Sequence, residues 1–99
     1  MEKRIVVTKR FRRNTLHVYE YILKEFSAKT AFEFLNKLED RIELIIRYPE
    51  IGKPSLKILN VRSLILSPHN RIYYRLNGDI IELLCLFDMR KKNTSNTYR

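Results

Sequence analysis

The fold is decided by residues 61–90, VRSLILSPHNRIYYRLNGDIIELLCLFDMR. They contain three runs rich in apolar, β-branched and aromatic residues: 61–66, 71–76 and 79–87. Asn77-Gly78, between the second run and the third, is the strongest short-range signal for a two-residue hairpin turn, because a type I′ turn needs positive φ at both positions. Residues 67–70, Ser-Pro-His-Asn, separate the first two runs and have the composition of a loop. The stretch therefore predicts an antiparallel three-stranded meander.

The preceding half of the chain predicts one strand and two helices. Residues 3–8, KRIVVT, are short and β-branched, which is typical of a strand. Apolar residues then recur at helical spacing over 11–26 and again over 28–48. Ser27 is a candidate N-cap for the second helix and Pro49 ends it, so the short break predicts an antiparallel helical hairpin. Residues 49–60 are interpreted as a connector.

These elements predict an α+β fold in which the helical hairpin packs on one face of a mainly antiparallel sheet. The N-terminal strand and the C-terminal meander complete that sheet. The chain of 99 residues is long enough for one hydrophobic core, so we expect a single domain over 1–92. Residues 93–99 are polar and predict a flexible tail.

Charge and composition restrict the function further. Twenty Lys and Arg against eleven Asp and Glu give a net charge of +9, which favours an anionic partner, although a merely soluble basic surface has the same composition. The single cysteine, Cys85, excludes an intrachain disulfide and predicts a small buried side chain. His17 and His69 lack metal-ligand spacing, and there is no glycine-rich phosphate loop, so we expect no metal and no cofactor. The chain has neither a signal peptide nor an apolar run of roughly 18 residues, which predicts a cytoplasmic protein without a membrane span.

The predicted turns fix a strand register in which Arg75 lies opposite Ile80 and also opposite Arg62. The predicted core face carries Ser63, Ile65, Ile72, Tyr74, Ile81, Leu83, Cys85 and Phe87. The opposite face carries Arg62, Arg71, Tyr73, Arg75, Glu82, Asp88 and Arg90, with Leu64, Leu84 and Leu86 between them. Like charges placed opposite each other need a carboxylate or a bound anion between them. Two explanations of such a pair remain open. In the structural one, Glu82 is the carboxylate between the arginines; in the functional one, the arginines form a cluster that binds phosphate or an acidic partner.

Other residues have weaker candidate roles. His69 is an acid or base if RNA lies on this face, and otherwise a turn residue. Tyr73 and Tyr98 are candidates for stacking on bases or for a hydrogen bond to phosphate, the alternatives being cross-strand packing for Tyr73 and a tail position for Tyr98. Lys53 and Lys57 in the connector, each taken alone, are interpreted as solvated lysines.

The order of elements resembles the RelE/ParE superfamily of type II toxin–antitoxin toxins, which includes proteins of the plasmid-stabilisation kind. The resemblance covers about residues 3–92. Its motifs are YPEIGKP at 48–54, VRSL at 61–64, RIYYRLNGDIIELL at 71–84 and FDMR at 87–90. It implies a small basic protein that inhibits the growth of its own cell and is neutralised by a cognate acidic antitoxin, with which it can form a hetero-oligomer.

The resemblance leaves the target open. A RelE-like member is a ribosome-dependent mRNA endonuclease, with Arg62, Arg71 and Arg90 as its implied catalytic residues and Tyr73, Tyr98 and His69 as weaker ones. Leu64 replaces a lysine of that pattern, and Tyr98 lies further beyond Arg90 than the usual tyrosine. A ParE-like member inhibits DNA gyrase and is not a nuclease; the long helical pair, the PEIGKP connector and the VRSL entry favour this branch. A diverged, non-toxic antitoxin-binding protein is the third interpretation. In each case the implied partner-binding residues are Arg62, Arg71, Tyr73, Arg75 and Arg90.

Overall fold

The computed structural model describes residues 3–90 and Tyr98. Its elements are β1 (Arg4–Val7), α1 (Lys9–Glu25), α2 (Ala28–Arg47), β2 (Lys53–Pro54), β3 (Val61–Ser67), β4 (Asn70–Asn77) and β5 (Ile80–Asp88). The strands form one sheet in the order β1-β5-β4-β3-β2, in which β1 runs parallel to β5 and the other neighbours are antiparallel. The predicted α+β fold is confirmed. Apart from Tyr98, the tail predicted over 93–99 lies outside the described residues.

Side-chain caps set the beginnings of both helices. The Thr8 hydroxyl accepts a hydrogen bond from the Phe11 N–H at 3.0 Å, so α1 begins two residues before the predicted start. Ser27 accepts from the Thr30 N–H at 3.1 Å, and the predicted N-cap of α2 is confirmed. The tight break at residues 26–27 folds α2 back against α1 as a helical hairpin.

The helices and one face of the sheet enclose the main core. Its buried members are Phe11, Leu38, Ile45, Leu66, Ile72, Tyr74, Ile81, Leu83 and Leu86. The apolar stripe predicted for α1 continues to Phe26, but that side chain is 67% exposed. The buried part of the hairpin therefore ends before its tip, and Tyr21 and Phe26 remain exposed there.

The turn between β4 and β5 lies one residue further along the chain than predicted, so the register of the two strands differs from the prediction by two residues. Asn77 pairs with Ile80, so the two turn residues are Gly78 and Asp79 instead of Asn77 and Gly78. Gly78 has φ +60°, whereas among the described non-glycine residues only Asn60 has positive φ. Asn77 therefore continues the strand, and the predicted pair of Arg75 with Ile80 is wrong: Arg75 lies opposite Glu82.

Two irregularities in the ladder also correct the predicted faces of the sheet. The register shifts between Ile65 and Ser67 of β3 and between Tyr73 and Tyr74 of β4, and a one-residue shift moves the following side chains to the other face. Arg62 consequently lies opposite Tyr74, not opposite Arg75.

The uncovered side of the sheet, called the open face below, carries a second cluster of buried residues beside its charged ones. Its buried members are Val61, Tyr73, Leu84, Cys85 and Phe87. Cys85 and Phe87 were predicted for the helix-covered core, and Ser63 and Ile65 were predicted there as well. Ser63 and Ile65 instead pair with Tyr73 and Arg71 on the open face. The prediction was wrong for these four residues and right for Ile72, Tyr74, Ile81 and Leu83. It was also wrong for Leu64 and Leu86, which were predicted for the opposite face and belong to the main core.

The predicted connector contains one short strand that the sequence did not reveal. In β2, Lys53 pairs with Ser63 and Pro54 with Arg62. Proline is tolerated there because β2 is an edge strand and needs no donor on its outer side. This pairing brings the connector lysines to the edge of the open face.

Candidate functional site

A cationic cleft lies on the open face, between β2, its following turn and the middle of the sheet. We call it the open-face cleft; its volume is about 440 Å³. It is lined by Lys53, Pro54, Ser55, Leu56, Lys57, Ser63, Arg71, Tyr73, Phe87, Met89 and Tyr98. The cleft joins residues from the connector, three strands and the C-terminal region, which are far apart in the sequence.

Arg71 is the fixed cation of this cleft. Its Nη1 donates a hydrogen bond to the buried Ser63 hydroxyl at 2.9 Å, which orients the guanidinium. Lys53 and Lys57 stand exposed at the rim. Residues 51–78 contain no Asp or Glu, so no carboxylate of this segment neutralises the three cations. The cleft is therefore suited to a phosphate or to carboxylates of a partner.

Aromatic rings form the wall beside Arg71. The Tyr73 ring meets Phe87 edge-on with 6.4 Å between centroids, and Tyr98 lies over Tyr73 at 6.0 Å. The Arg10 guanidinium lies 5.6 Å from the centre of the Tyr98 ring, within the range of a cation–π contact. The structure thus brings three of the candidate residues together, Arg71, Tyr73 and Tyr98, and adds Arg10 from the first turn of α1.

Cys85 lies in the cluster beneath this wall and is buried. Burial raises the pKa of its thiol from 9.0 to about 11, against a smaller lowering effect of Arg10. The thiol is therefore protonated at neutral pH, and the predicted role of a small buried hydrophobe fits this environment better than that of a nucleophile.

Arg62 and Arg90, which were grouped with Arg71 in the sequence analysis, do not line the open-face cleft. Arg62 Nη1 donates to the carbonyl oxygens of Glu50 at 3.0 Å and Gly52 at 2.8 Å, so this guanidinium holds the connector. Arg90 donates from Nε and Nη2 to the two oxygens of Asp88, at 3.0 and 2.9 Å. This hydrogen-bonded carboxylate raises the pKa of Arg90. The predicted arginine face is therefore split.

Arg75 remains on the open face but pairs with a carboxylate. Its Nη1 lies 3.8 Å from Glu82 Oε1, and both side chains are partly exposed. Glu82 was predicted as a carboxylate between Arg62 and Arg75, but Arg62 lies opposite Tyr74, so Glu82 pairs with Arg75 alone. An exposed pair of this kind contributes little to stability.

His69 lines a different cavity, of about 720 Å³, between the helical hairpin and the end of the sheet. We call this the helix-side groove. His17, Asp88 and Arg90 also line it, together with apolar side chains that include Tyr21 and Phe26. Among the described residues, no three His, Cys, Asp or Glu side chains are placed to hold a metal ion. Neither histidine lines the open-face cleft, so neither stands beside Arg71 as an acid or base.

Sequence reasoning missed two groups of site residues. Lys53 and Lys57 were interpreted singly, because the β2 pairing that places them beside Arg71 was not recognised. Arg10, which stands in a basic run at the start of α1, was not assigned to the site. The signal that would have found the lysines is the run from 51 to 78, which has five Lys and Arg and no acidic residue.

Comparison with known proteins gives one family. The model of the ParE toxin of the type II toxin–antitoxin system, parDE, matches residues 5–92. None of the curated proteins matches the chain by sequence. In the described part of the chain, no helix is both long and apolar enough to cross a membrane.

Solved structures share the fold at low identity. The chromosomal ParDE system of P. aeruginosa is 13% identical, with a TM-score of 0.74 over 88% of this chain and 96% of that one. The E. coli DinJ-YafQ complex is also 13% identical, with a TM-score of 0.65 over 91% and 96%. The YoeB/ParE toxin from Agrobacterium tumefaciens is 21% identical, with a TM-score of 0.59 over 86% and 97%. At these identities the likeness shows the fold alone.

Proposed function

The chain belongs to the ParE toxin family of type II toxin–antitoxin systems, and we propose that it arrests growth by inhibiting DNA gyrase until a cognate antitoxin neutralises it. Inhibition in this proposal occurs by binding and involves no nuclease chemistry. Gyrase is a cytoplasmic enzyme, so the proposed site of action is the cytoplasm.

One observation favours gyrase over mRNA as the target: the three arginines of the nuclease pattern lie at different places and bind different groups. Arg62 is bound to backbone carbonyls, Arg90 is clamped by Asp88, and only Arg71 faces the open-face cleft. A ribonuclease needs a proton acceptor and a proton donor near the phosphate as well as a cation. His17 and His69, the two histidines of the chain, line the helix-side groove. This dispersion supports a binding surface more than a catalytic site.

The antitoxin partner is supported by charge and by exposed apolar surface. A net charge of +9 favours an acidic partner. The helix-side groove has a volume of about 720 Å³ and includes the exposed Tyr21 and Phe26 in its lining, which suits a helical or extended apolar segment. We therefore place the neutralising segment of the antitoxin in this groove, away from the open-face cleft.

The test is induced expression in a bacterial host, in which plasmid supercoiling, mRNA integrity and protein synthesis are followed in the same culture. Gyrase inhibition predicts relaxed plasmid or broken DNA before translation falls, with mRNA intact. Cut mRNA with supercoiling preserved contradicts the proposal. Normal growth at confirmed expression would favour the non-toxic antitoxin-binding alternative instead.

The second candidate function is mRNA cleavage on the ribosome, and the open-face cleft favours it. Arg71, Lys53 and Lys57 supply cations for a phosphate, and Tyr73 and Tyr98 supply rings for bases. RNA can be cleaved by attack of its own 2′-hydroxyl on the neighbouring phosphate, and this reaction needs no metal. A cationic cleft therefore suffices for cleavage if a tyrosine phenol or the ribosome transfers the protons.

Arg71→Ala and Arg90→Ala separate the two functions. If the nuclease hypothesis is right, the double variant loses toxicity and leaves mRNA uncut. Since Arg90 is held by Asp88 outside the cleft, Arg90→Ala alone is expected to stay toxic under the gyrase proposal. Growth curves and mRNA integrity after induction give the answer, with the melting temperature as the control for folding.

A further inference from the structure

We propose that residues 55–60, the turn between β2 and β3, form the element that docks onto the inhibited target. We call this segment the leucine turn. The partner that fits it is a folded protein whose surface carries acidic residues around an apolar pocket. The inference rests on the proposed function only for the identity of that protein.

The leucine turn is a fixed structure and not a loose loop. The Ser55 hydroxyl accepts hydrogen bonds from the N–H groups of Lys57 and Ile58, both at 3.1 Å. The Ser55 N–H donates to the Val61 carbonyl at 2.8 Å, and the Asn60 carbonyl accepts from Leu76 at 2.9 Å. Asn60 takes a left-handed conformation, with φ +68°, which closes the turn. These bonds tie both ends of the turn to the sheet.

Within this turn one apolar side chain packs against the protein and two are exposed to solvent. Ile58 packs against the buried cluster of the open face. Leu56 is 94% exposed and Leu59 is 86% exposed. Single exposed leucines are common, but here two almost fully exposed leucines lie three residues apart on a turn whose backbone is hydrogen-bonded. Because the backbone of the turn is already ordered, burying the two leucines in a complex costs the turn little additional conformational entropy.

Charge identifies the chemistry of the partner. Leu56 lies between Lys53 and Lys57, and the whole segment 51–78 lacks a carboxylate. A surface of this kind attracts an acidic partner and repels a basic one. Leucine offers neither a ring for base stacking nor a hydrogen-bond donor for phosphate, so the two leucines favour a protein pocket over nucleic acid.

Shape distinguishes the target from the antitoxin. The leucine turn exposes Leu56 and Leu59 almost fully, so a partner that buries both side chains needs a concave site of its own. An antitoxin segment, in contrast, requires a groove on this chain, and the helix-side groove provides one. The inhibited enzyme, as a folded protein, is therefore the occupant that we assign to the leucine turn.

The first experiment compares growth inhibition by three forms at equal expression: the wild type, Leu56→Ser/Leu59→Ser and Leu56→Met/Leu59→Met. The serine variant is expected to lose at least tenfold in growth inhibition, whereas the methionine variant keeps it, because methionine preserves apolar volume. Both leucines are exposed, so the melting temperature of each purified variant is expected to match the wild type. A serine variant with wild-type toxicity overturns the inference.

The second experiment identifies the partner. A photo-crosslinking amino acid replaces Leu56 or, as a control, the exposed Lys29 of α2, and cells are irradiated after induction. An adduct with a gyrase subunit from position 56 and not from position 29 supports the inference. Adducts with RNA or only with the antitoxin, or no adduct at position 56, contradict it.

The two experiments keep the inference separate from the proposed function. If position 56 captures a different protein, that protein is purified and its affinity for both forms is measured. Binding at least tenfold weaker with Leu56→Ser/Leu59→Ser supports docking by the leucine turn while excluding gyrase as its target; equal binding overturns the inference. If the wild type leaves growth unaffected, the proposed function fails, and the adduct from position 56 decides the inference by itself.

Discussion

At the scale of single residues, Tyr74 connects the core to the connector. Its ring is fully buried, and its hydroxyl donates to the Pro49 carbonyl at 2.7 Å and accepts from the Gly52 N–H at 2.9 Å. Burial raises the pKa of this phenol above its ordinary value of 10.0. One side chain therefore satisfies two backbone groups in a segment that has little regular structure of its own.

Tyr74→Phe is expected to destabilise the protein by about 2 kcal/mol, because it leaves a buried donor and an acceptor without their partner. The free energy of unfolding in urea measures this effect. Tyr21→Phe, at a phenol that is half exposed, is the matched control and is expected to be nearly neutral. Equal stability of Tyr74→Phe and the wild type would show that the hydroxyl does not hold the connector.

The raised pKa of Cys85 predicts a pH dependence with a definite sign. The folded state holds the thiol proton up to about pH 11, whereas the unfolded state loses it near 9.0. The resulting stabilisation is complete below pH 9 and is lost as the pH rises from 9 to 11. The stability of the wild type relative to Cys85→Ala is therefore expected to fall over that range in urea titrations. A pH-independent difference contradicts the raised pKa.

At the scale of elements, the connector is positioned by contact with the sheet and not by its own propensity. Gly52 lies so close to the meander that a Cβ there would stand 2.5 Å from the Tyr74 hydroxyl and 2.9 Å from the Ser63 carbonyl oxygen. Arg62 also binds the Gly52 carbonyl. The β2 strand, and with it Lys53 and Lys57, depends on this close approach.

Gly52→Ala is expected to cost about 1–3 kcal/mol, because the backbone of β3 cannot move away as a flexible side chain would. Gly78→Asn is the control at the other glycine: nothing lies within 4 Å of its Cβ position, and asparagine tolerates positive φ. Thermal or urea unfolding compares the two variants. Gly78→Asn more destabilising than Gly52→Ala would contradict this packing account.

At the scale of the whole molecule, positive charge is concentrated where the carboxylates are absent. The chain carries +9, but Asp88 and Glu82 neutralise Arg90 and Arg75, and Lys53, Lys57 and Arg71 remain together at the open-face cleft. The field that steers a partner is therefore expected to centre on this cleft and on the adjoining leucine turn.

Two charge-matched variants test this localisation. Lys53→Glu/Lys57→Glu and Lys24→Glu/Lys29→Glu each lower the net charge from +9 by 4, because each substitution changes it by −2. All four lysines are exposed. The first variant is expected to elute from a heparin column at clearly lower salt than the second, since it removes the rim of the cleft. Equal elution would show that net charge alone determines polyanion binding.

The sequence by itself determined the two helices, the first strand, the three strands of the meander, the order of these elements, the N-cap of α2 and part of the helix-covered core, because periodicity, capping and breakers act over a few neighbouring residues. Ser27 as N-cap and the burial of Tyr74 illustrate this. Tertiary structure decided the register, since the one-residue shifts at Ile65–Ser67 and Tyr73–Tyr74 carry no local signal and yet place Cys85 and Phe87 on the open face instead of the predicted core face. It therefore also decided that Arg71 shares a cleft with Lys53 and Tyr98, whereas Arg62 and Arg90 bind groups elsewhere. Those contacts join residues distant along the chain, and only the packed sheet brings them together.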